Sequence, residues 1–176
     1  NILFNQGLEK YMPKYNNTSI FDPVLCELMY RWFAPENGNI IDPFAGGSVR
    51  GIVANYLGFK YTGIELRKEQ VDSNREQALN ILEVNNQPQW YIGDSEQILN
   101  DLIPEYDFAF TCPPYFNLEV YSDLQDDLST MTYQDFLLKY EAIIIKTISK
   151  LKQDCFFAIV VGEVRDKQGY YLDFVG

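Results

Sequence analysis

The sequence predicts an α/β fold: a doubly wound, mostly parallel sheet with helices on both faces. Three observations predict it. Short strand-like runs alternate with segments of helical period along the chain, the order that a parallel sheet with crossover helices demands. Residues 156–161 are apolar without a break, as expected of a strand covered on both faces at the centre of such a sheet. A loop of small residues, Asp42-Pro43-Phe44-Ala45-Gly46-Gly47-Ser48, joins the first strand to a helix, at the place where open α/β sheets bind their ligands.

Asp22-Pro23 reads as an N-cap and first helical position, opening a helix through Leu25, Leu28, Met29 and Trp32. Residues 39–44 form the first strand. The helix after it starts at Ser48 and carries Val49, Ile52, Val53, Tyr56 and Leu57, the stripe of a buried face. Gly58 is placed to end it in a left-handed turn. Residues 61–66 form the second strand, followed by a helix over 68–83 with Val71, Ala78, Leu79 and Leu82 inward. The third strand is 90–93. The fourth is 106–111, stopped by Pro113 and Pro114, which cannot donate ladder bonds. After a polar loop over 117–129, Thr132 caps a long helix with Asp135 in its first turn. Its stripe of Phe136, Leu137, Tyr140, Ile143, Ile144, Thr147, Ile148 and Leu151 faces the sheet.

The 176 residues are ample for one domain and thin for two, and they show no internal repeat, so residues 1–176 read as one domain. A composition of 47% hydrophobic and 15% aromatic residues excludes a disordered chain. No apolar run is long enough to predict a membrane-spanning helix, and the first residues carry no signal-peptide pattern. Three widely spaced cysteines and the lack of histidine argue against a disulfide framework and against a metal site; they fit a reducing, cytoplasmic setting. The net charge of -11 argues, by itself, against nucleic acid, because phosphate contacts need Lys and Arg. Glu119, Asp123, Asp126 and Asp127 read as a solvated acidic loop. Arg165 and Lys167 stand equally as phosphate contacts or as a charged turn.

Four strand ends carry the residues that suit chemistry. The loop 42–48 lets a ligand approach backbone closely at Ala45, Gly46 and Gly47; its bland reading is a tight turn, and its spacing does not match the dinucleotide pattern G-x-G-x-x-G. Glu65, followed by Leu66, ends the second strand where a carboxylate can accept ribose hydroxyls, or can simply face solvent near a helix start. Asp94, followed by Ser95, can receive an adenine amino group or can cap the next helix. Thr111-Cys112-Pro113-Pro114-Tyr115 ends the fourth strand. There, two prolines hold a carbonyl rigidly with no competing N–H, and Tyr115 offers a face for stacking a base.

Taken in this order and on these strands, the residues resemble the amino-group DNA methyltransferases of the N4-cytosine and N6-adenine kind, especially those of phages and mobile elements, over roughly residues 18–169. Residues 42–48 resemble their cofactor loop, D-P-F-x-G-S/G-G, and residues 111–115 resemble their catalytic D/N/S-P-P-Y/F/W motif. The resemblance implies a Rossmann-like methyltransferase sheet and S-adenosylmethionine as cofactor. It implies a cofactor site of Phe21, Asp42, Phe44, Ala45, Gly46, Gly47, Glu65, Leu66, Asp94, Ser95 and Thr111. It also implies a catalytic group of Cys112, Pro113, Pro114 and Tyr115, a base flipped out of double-stranded DNA, and a place in restriction–modification. Two departures stand out. Cys112 occupies a position usually held by Asp, Asn or Ser; cysteine is the nearest isostere of serine, which leans the target towards cytosine N4. Family members continue into a further helix and an antiparallel hairpin, so the C-terminal part of the domain, with much of the DNA-binding charge, is expected to be missing. Alternatives from other chemistry are an RNA guanine-amino methyltransferase, a C5-cytosine enzyme using a Cys112 thiolate, and a nucleotide-binding module without catalysis.

Overall fold

A computed structural model describes residues 20–103, 105–114, 122, 124 and 126–162, and the backbone of 164, 165, 171 and 172. Asp22 accepts a hydrogen bond from the Val24 N–H and, with Pro23 at the first helical position, opens α1 (Pro23–Phe33). The elements then alternate as β1 (Asn39–Asp42), α2 (Val49–Tyr56), β2 (Lys60–Glu65), α3 (Lys68–Ile81), β3 (Gln89–Ile92), α4 (Ser95–Asp101), β4 (Tyr106–Thr111), α5 (Tyr133–Ile148) and β5 (Leu151–Ile159). A two-residue antiparallel pair, β6 (Val164–Arg165) with β7 (Tyr171–Leu172), forms a separate small sheet. Thr132 caps α5 by accepting from the Asp135 N–H, as the sequence predicts.

The main sheet has five parallel strands in the order β3-β2-β1-β4-β5. The chain steps outward from β1 to β3, then returns to place β4 on the other side of β1. The switch in direction opens a crevice between the carboxyl ends of β1 and β4, where sheets of this kind bind ligands. Neighbouring strand residues face opposite sides. Ile40, Phe108 and Phe110 join Tyr30, Tyr61 and Trp90 in one core layer. Ile41 and Ala109 join Leu99, Phe136 and Ile143 in the other.

Helix faces are where the periodicity misleads. On α2 the buried line is Arg50, Gly51, Ala54 and Asn55, while Tyr56 is 74% exposed. The helix lies so close to the sheet that a Cβ on Gly51 would sit 2.7 Å from the Trp90 ring, so small residues take the contact and the larger apolar ones flank it. On α3, Val71, Asn74 and Ala78 are buried and Leu79 is exposed. On α5, Leu137 and Ile148 face outward while Phe136, Ile143 and Thr147 are buried. Trp32 of α1 is also exposed, its inner face being Cys26 and Tyr30. The last correction concerns β5. It starts at Leu151 and, among the described residues, lies at the sheet edge with Phe156 exposed; an apolar run by itself does not separate a central strand from an edge strand.

Candidate active site

The crevice is built on a buried ion pair. Asp42, at the end of β1, is fully buried. It accepts Arg50 Nε at 2.6 Å and the Tyr61 hydroxyl at 2.7 Å on one oxygen, and the Thr111 hydroxyl at 2.6 Å and the Phe44 N–H at 3.1 Å on the other. Burial works against the charge of Arg50, but the Asp42 carboxylate outweighs it and holds the guanidinium protonated. Tyr61 and Tyr30 are pushed up, chiefly by burial. Asp42 and Thr111 thus lie beneath the loop, joining the ends of β1 and β4.

The loop is held from three sides. Arg50 Nη2 donates to the carbonyls of Phe44 (2.7 Å) and Ala45 (3.0 Å). Asn74, fully buried on α3, donates to the Gly46 carbonyl at 2.7 Å, and Ser48 Oγ donates to Gln77 Oε1 at 2.6 Å. The Gly46 N–H donates to Glu65 Oε2 at 3.0 Å. Gly46 has φ 51°, a left-handed conformation that favours glycine. A Cβ built on Gly46 or Gly47 would meet nothing within 4 Å. The outer side of the loop is therefore open space bounded by backbone, a shape that admits a ligand to the peptide groups.

The neighbouring strand ends bring in the remaining predicted residues. Glu65 is 12% exposed and also accepts the Arg67 N–H at 3.0 Å; Leu66 is half-buried beside it. Asp94 caps α4 by accepting the Glu96 N–H at 3.1 Å, and its other oxygen lies 3.1 Å from Lys139 Nζ. The helix-capping reading of Asp94 therefore holds, and the carboxylate also sits at the crevice-side end of β3. Ser95 donates to the Pro43 carbonyl. Phe21 packs edge-on against Phe110, and the Arg50 guanidinium lies 4.6 Å from its ring centre. Phe44 stacks on Tyr140 of α5, with centroids 6.0 Å apart.

After Thr111, Cys112 is half-buried, Pro113 buried and Pro114 half-buried. Tyr140 is pushed up mainly by burial and further by the neighbouring Cys112 thiol. Tyr115, Glu119, Asp123, Lys167 and the side chain of Arg165 lie outside the described residues. Of the acidic loop, Asp126 pairs with Lys139 at 2.9 Å. Asp127 is buried and accepts Ser122 Oγ and the Ser129 N–H and hydroxyl, so it is a structural turn residue rather than a solvated charge. Arg50, Tyr61, Asn74 and Lys139 brace the candidate site, and sequence reasoning missed them. The polar i, i+4, i+7 line Gln70, Asn74, Gln77 along a helix was a legible sign that this face grips backbone rather than core.

A second concavity, of about 580 Å3, opens at the amino ends of the strands among Asn39, Asn55, Asn86 and Gln89. Its amides bond to one another and to backbone, as with Asn55 and Asn86, which leaves the carboxyl-end crevice as the better-equipped site.

No family model and no curated protein matches the chain, but solved structures do. A SAM-dependent methyltransferase from Agrobacterium tumefaciens is similar with a TM-score of 0.61 and 15% identity over 88% of this chain and 50% of that one. TrmN from Thermus thermophilus gives 0.60 and 18%, over 79% of this chain and 38% of that one. An rRNA methylase from Streptococcus thermophilus gives 0.54 and 12%, over 81% and 71%. The chain thus spans half or less of the first two. At these identities the likeness is one of fold: the chain has the Rossmann-like methyltransferase fold.

Proposed function

We propose that the chain transfers a methyl group from S-adenosylmethionine to the exocyclic amino group of a DNA base, cytosine N4 or adenine N6. The observation that carries this reading is the convergence at one crevice of a braced glycine loop with open space above it, the Glu65 and Asp94 carboxylates, and the Cys112-Pro113-Pro114 segment. The residues fit the cofactor: Gly46 and Gly47 leave room at the peptide backbone, and in this reading Glu65 accepts ribose hydroxyls and Asp94 an adenine amino group. When bound, S-adenosylmethionine supplies a methyl group activated on a sulfonium.

The task left to the protein is to make a poor nucleophile reactive. An exocyclic amino nitrogen shares its lone pair with the ring. The Pro113 carbonyl accepts one amino hydrogen, and Cys112 or an adjacent carbonyl accepts the other, which favours a tetrahedral nitrogen with its lone pair available. Positioning and fixed dipoles provide most of the acceleration. The base leaves the double helix to enter the crevice, and the resemblance of residues 111–115 assigns its stacking to Tyr115. The domain acts as one unit, in a reducing cytoplasmic compartment that keeps its cysteines as thiols.

The likeness to an rRNA methylase favours RNA as a second reading, with the same amino-group chemistry on guanine. The test is methyl transfer from labelled S-adenosylmethionine with duplex DNA, with RNA and with no polymer, followed by mass spectrometry of the nucleosides. N4-methylcytosine or N6-methyladenine from DNA is expected. Methylguanosine from RNA moves the substrate, and cofactor binding without turnover on either polymer overturns the enzymatic reading. Glu65→Ala is expected to weaken cofactor binding in calorimetry by about tenfold, the loss of a charged acceptor, because it removes both a ribose partner and the Gly46 N–H partner.

A further inference from the structure

Among the described residues, Lys139 differs from the cations paired along helix surfaces. Lys68 and Arg31 meet carboxylates one helical turn away on exposed faces. Lys139 is only 13% exposed, and its ammonium joins two carboxylates from different segments: Asp94 at 3.1 Å, itself 12% exposed, and Asp126 at 2.9 Å. Burial opposes its charge, but Asp126 and Asp94 outweigh it and push Lys139 up, so it stays a cation. The next residue of α5, Tyr140, stacks on Phe44 of the glycine loop. One turn of α5 therefore touches both the loop and the end of β3.

The hydrogen bonds of Asp94 explain what such a cation does. Oδ1 takes the Glu96 N–H and Oδ2 takes Lys139. A carboxylate offers about two acceptor sites per oxygen, so these two contacts fix the plane of the group and the direction of the sites left over. An ammonium, compact and with three donors, can serve two carboxylates at once.

We infer that Lys139 is a positioning residue that locks the Asp94 carboxylate as the acceptor for the exocyclic amino group of the bound nucleoside, with Asp126 holding the ammonium from its other side. The inference rests on the crevice being the cofactor site. It makes Lys139 a specificity determinant. A nucleoside with a carbonyl oxygen in place of the amino group would be repelled by the fixed carboxylate, and releasing that carboxylate would relax the discrimination.

The test compares S-adenosylhomocysteine with S-inosylhomocysteine, by calorimetry, on the full chain and on Lys139→Met, Lys139→Arg and Lys146→Met. Lys146 bridges α5 to Glu96 of α4 without touching Asp94, so its variant reports what losing an interhelical ion pair does by structure alone. Lys139→Met is expected to bind S-adenosylhomocysteine about tenfold more weakly, the weight of one charge-assisted contact, and to lose most of its preference over the inosyl analogue. Lys139→Arg restores that preference, and Lys146→Met leaves it at the original value. Should Lys139→Met lower the thermal midpoint sharply, Lys139→Gln, which keeps a donor without the charge, gives the same readout. An unchanged preference in Lys139→Met, or an equal loss in Lys146→Met, overturns the inference while the cofactor reading stands. Binding of neither analogue by the unaltered protein overturns both.

Discussion

Asp42 and Arg50 are both at or below 5% exposure, yet the pair leaves neither partner short of hydrogen bonds. The carboxylate takes four, and the guanidinium adds two loop carbonyls. Removing one partner of such a pair strands the other charge. Arg50→Met is therefore expected to lower stability by about 3–5 kcal/mol in urea unfolding, and to abolish cofactor binding by releasing the carbonyls of Phe44 and Ala45. At Cys112 the question is chemical. If the thiol serves as an acceptor for the amino group, Cys112→Ser keeps or raises methyl transfer, since a hydroxyl is the better acceptor. If the thiolate attacks the base, the same change abolishes turnover and the unaltered protein yields 5-methylcytosine. Product nucleosides from both proteins separate the two. Cys26 is no candidate for such chemistry: burial pushes its thiol up to about 12.

At the scale of elements, two kinds of glycine divide the labour. Gly63 in β2 is a packing glycine: a Cβ there would sit 2.7 Å from Tyr61 Cε1 and 2.8 Å from Ala45 Cβ. Gly63→Ala is expected to cost about 1–3 kcal/mol by overpacking, read as a lower urea midpoint. Gly47 is exposed and has open space beside it. Gly47→Ala is expected to leave stability within about 0.5 kcal/mol while weakening cofactor binding, because the methyl group occupies the ligand's room. At the other end of the sheet, Asp107 of β4 accepts the Asn39 N–H of β1 and Lys152 Nζ of β5. Burial works against its charge, but these two donors outweigh it and hold Asp107 below its usual range. A lowered folded-state value means that the stabilisation is full above the ordinary carboxylate pKa and is lost as pH falls through the lowered one. Asp107→Asn should accordingly flatten the acid limb of a stability-against-pH curve.

For the whole molecule, charge is the outstanding property. The net charge is -11, and Arg31, Arg67, Lys68, Arg75, Lys139, Lys146 and Lys152 each face a carboxylate. Cations already paired release few counterions from a phosphate backbone. This chain is expected to bind duplex DNA weakly at physiological salt, with a log–log salt slope shallower than about -3, the signature of fewer than about three phosphate contacts. Fluorescence anisotropy across a salt series measures it; tight binding with a steep slope would show that a cationic face forms despite these pairs.

The sequence by itself determined the alternation of strands and helices, the caps at Asp22 and Thr132, the glycine loop and the order in which Glu65, Asp94 and the Pro-Pro pair follow it. These are local properties: turn chemistry, capping and periodicity act within a few residues and are written in neighbouring letters. Only the tertiary structure decided which face of α2, α3 and α5 turns inward, that β5 lies at an edge among the described strands, and that Arg50, Asn74 and Lys139 contact the residues of the candidate site. Asp42 meets Thr111 across 69 positions, and Gly46 meets Asn74 across 28. Those distances are closed by packing two helical layers on a parallel sheet, and a polar side chain's partner is known only once that packing brings the two together.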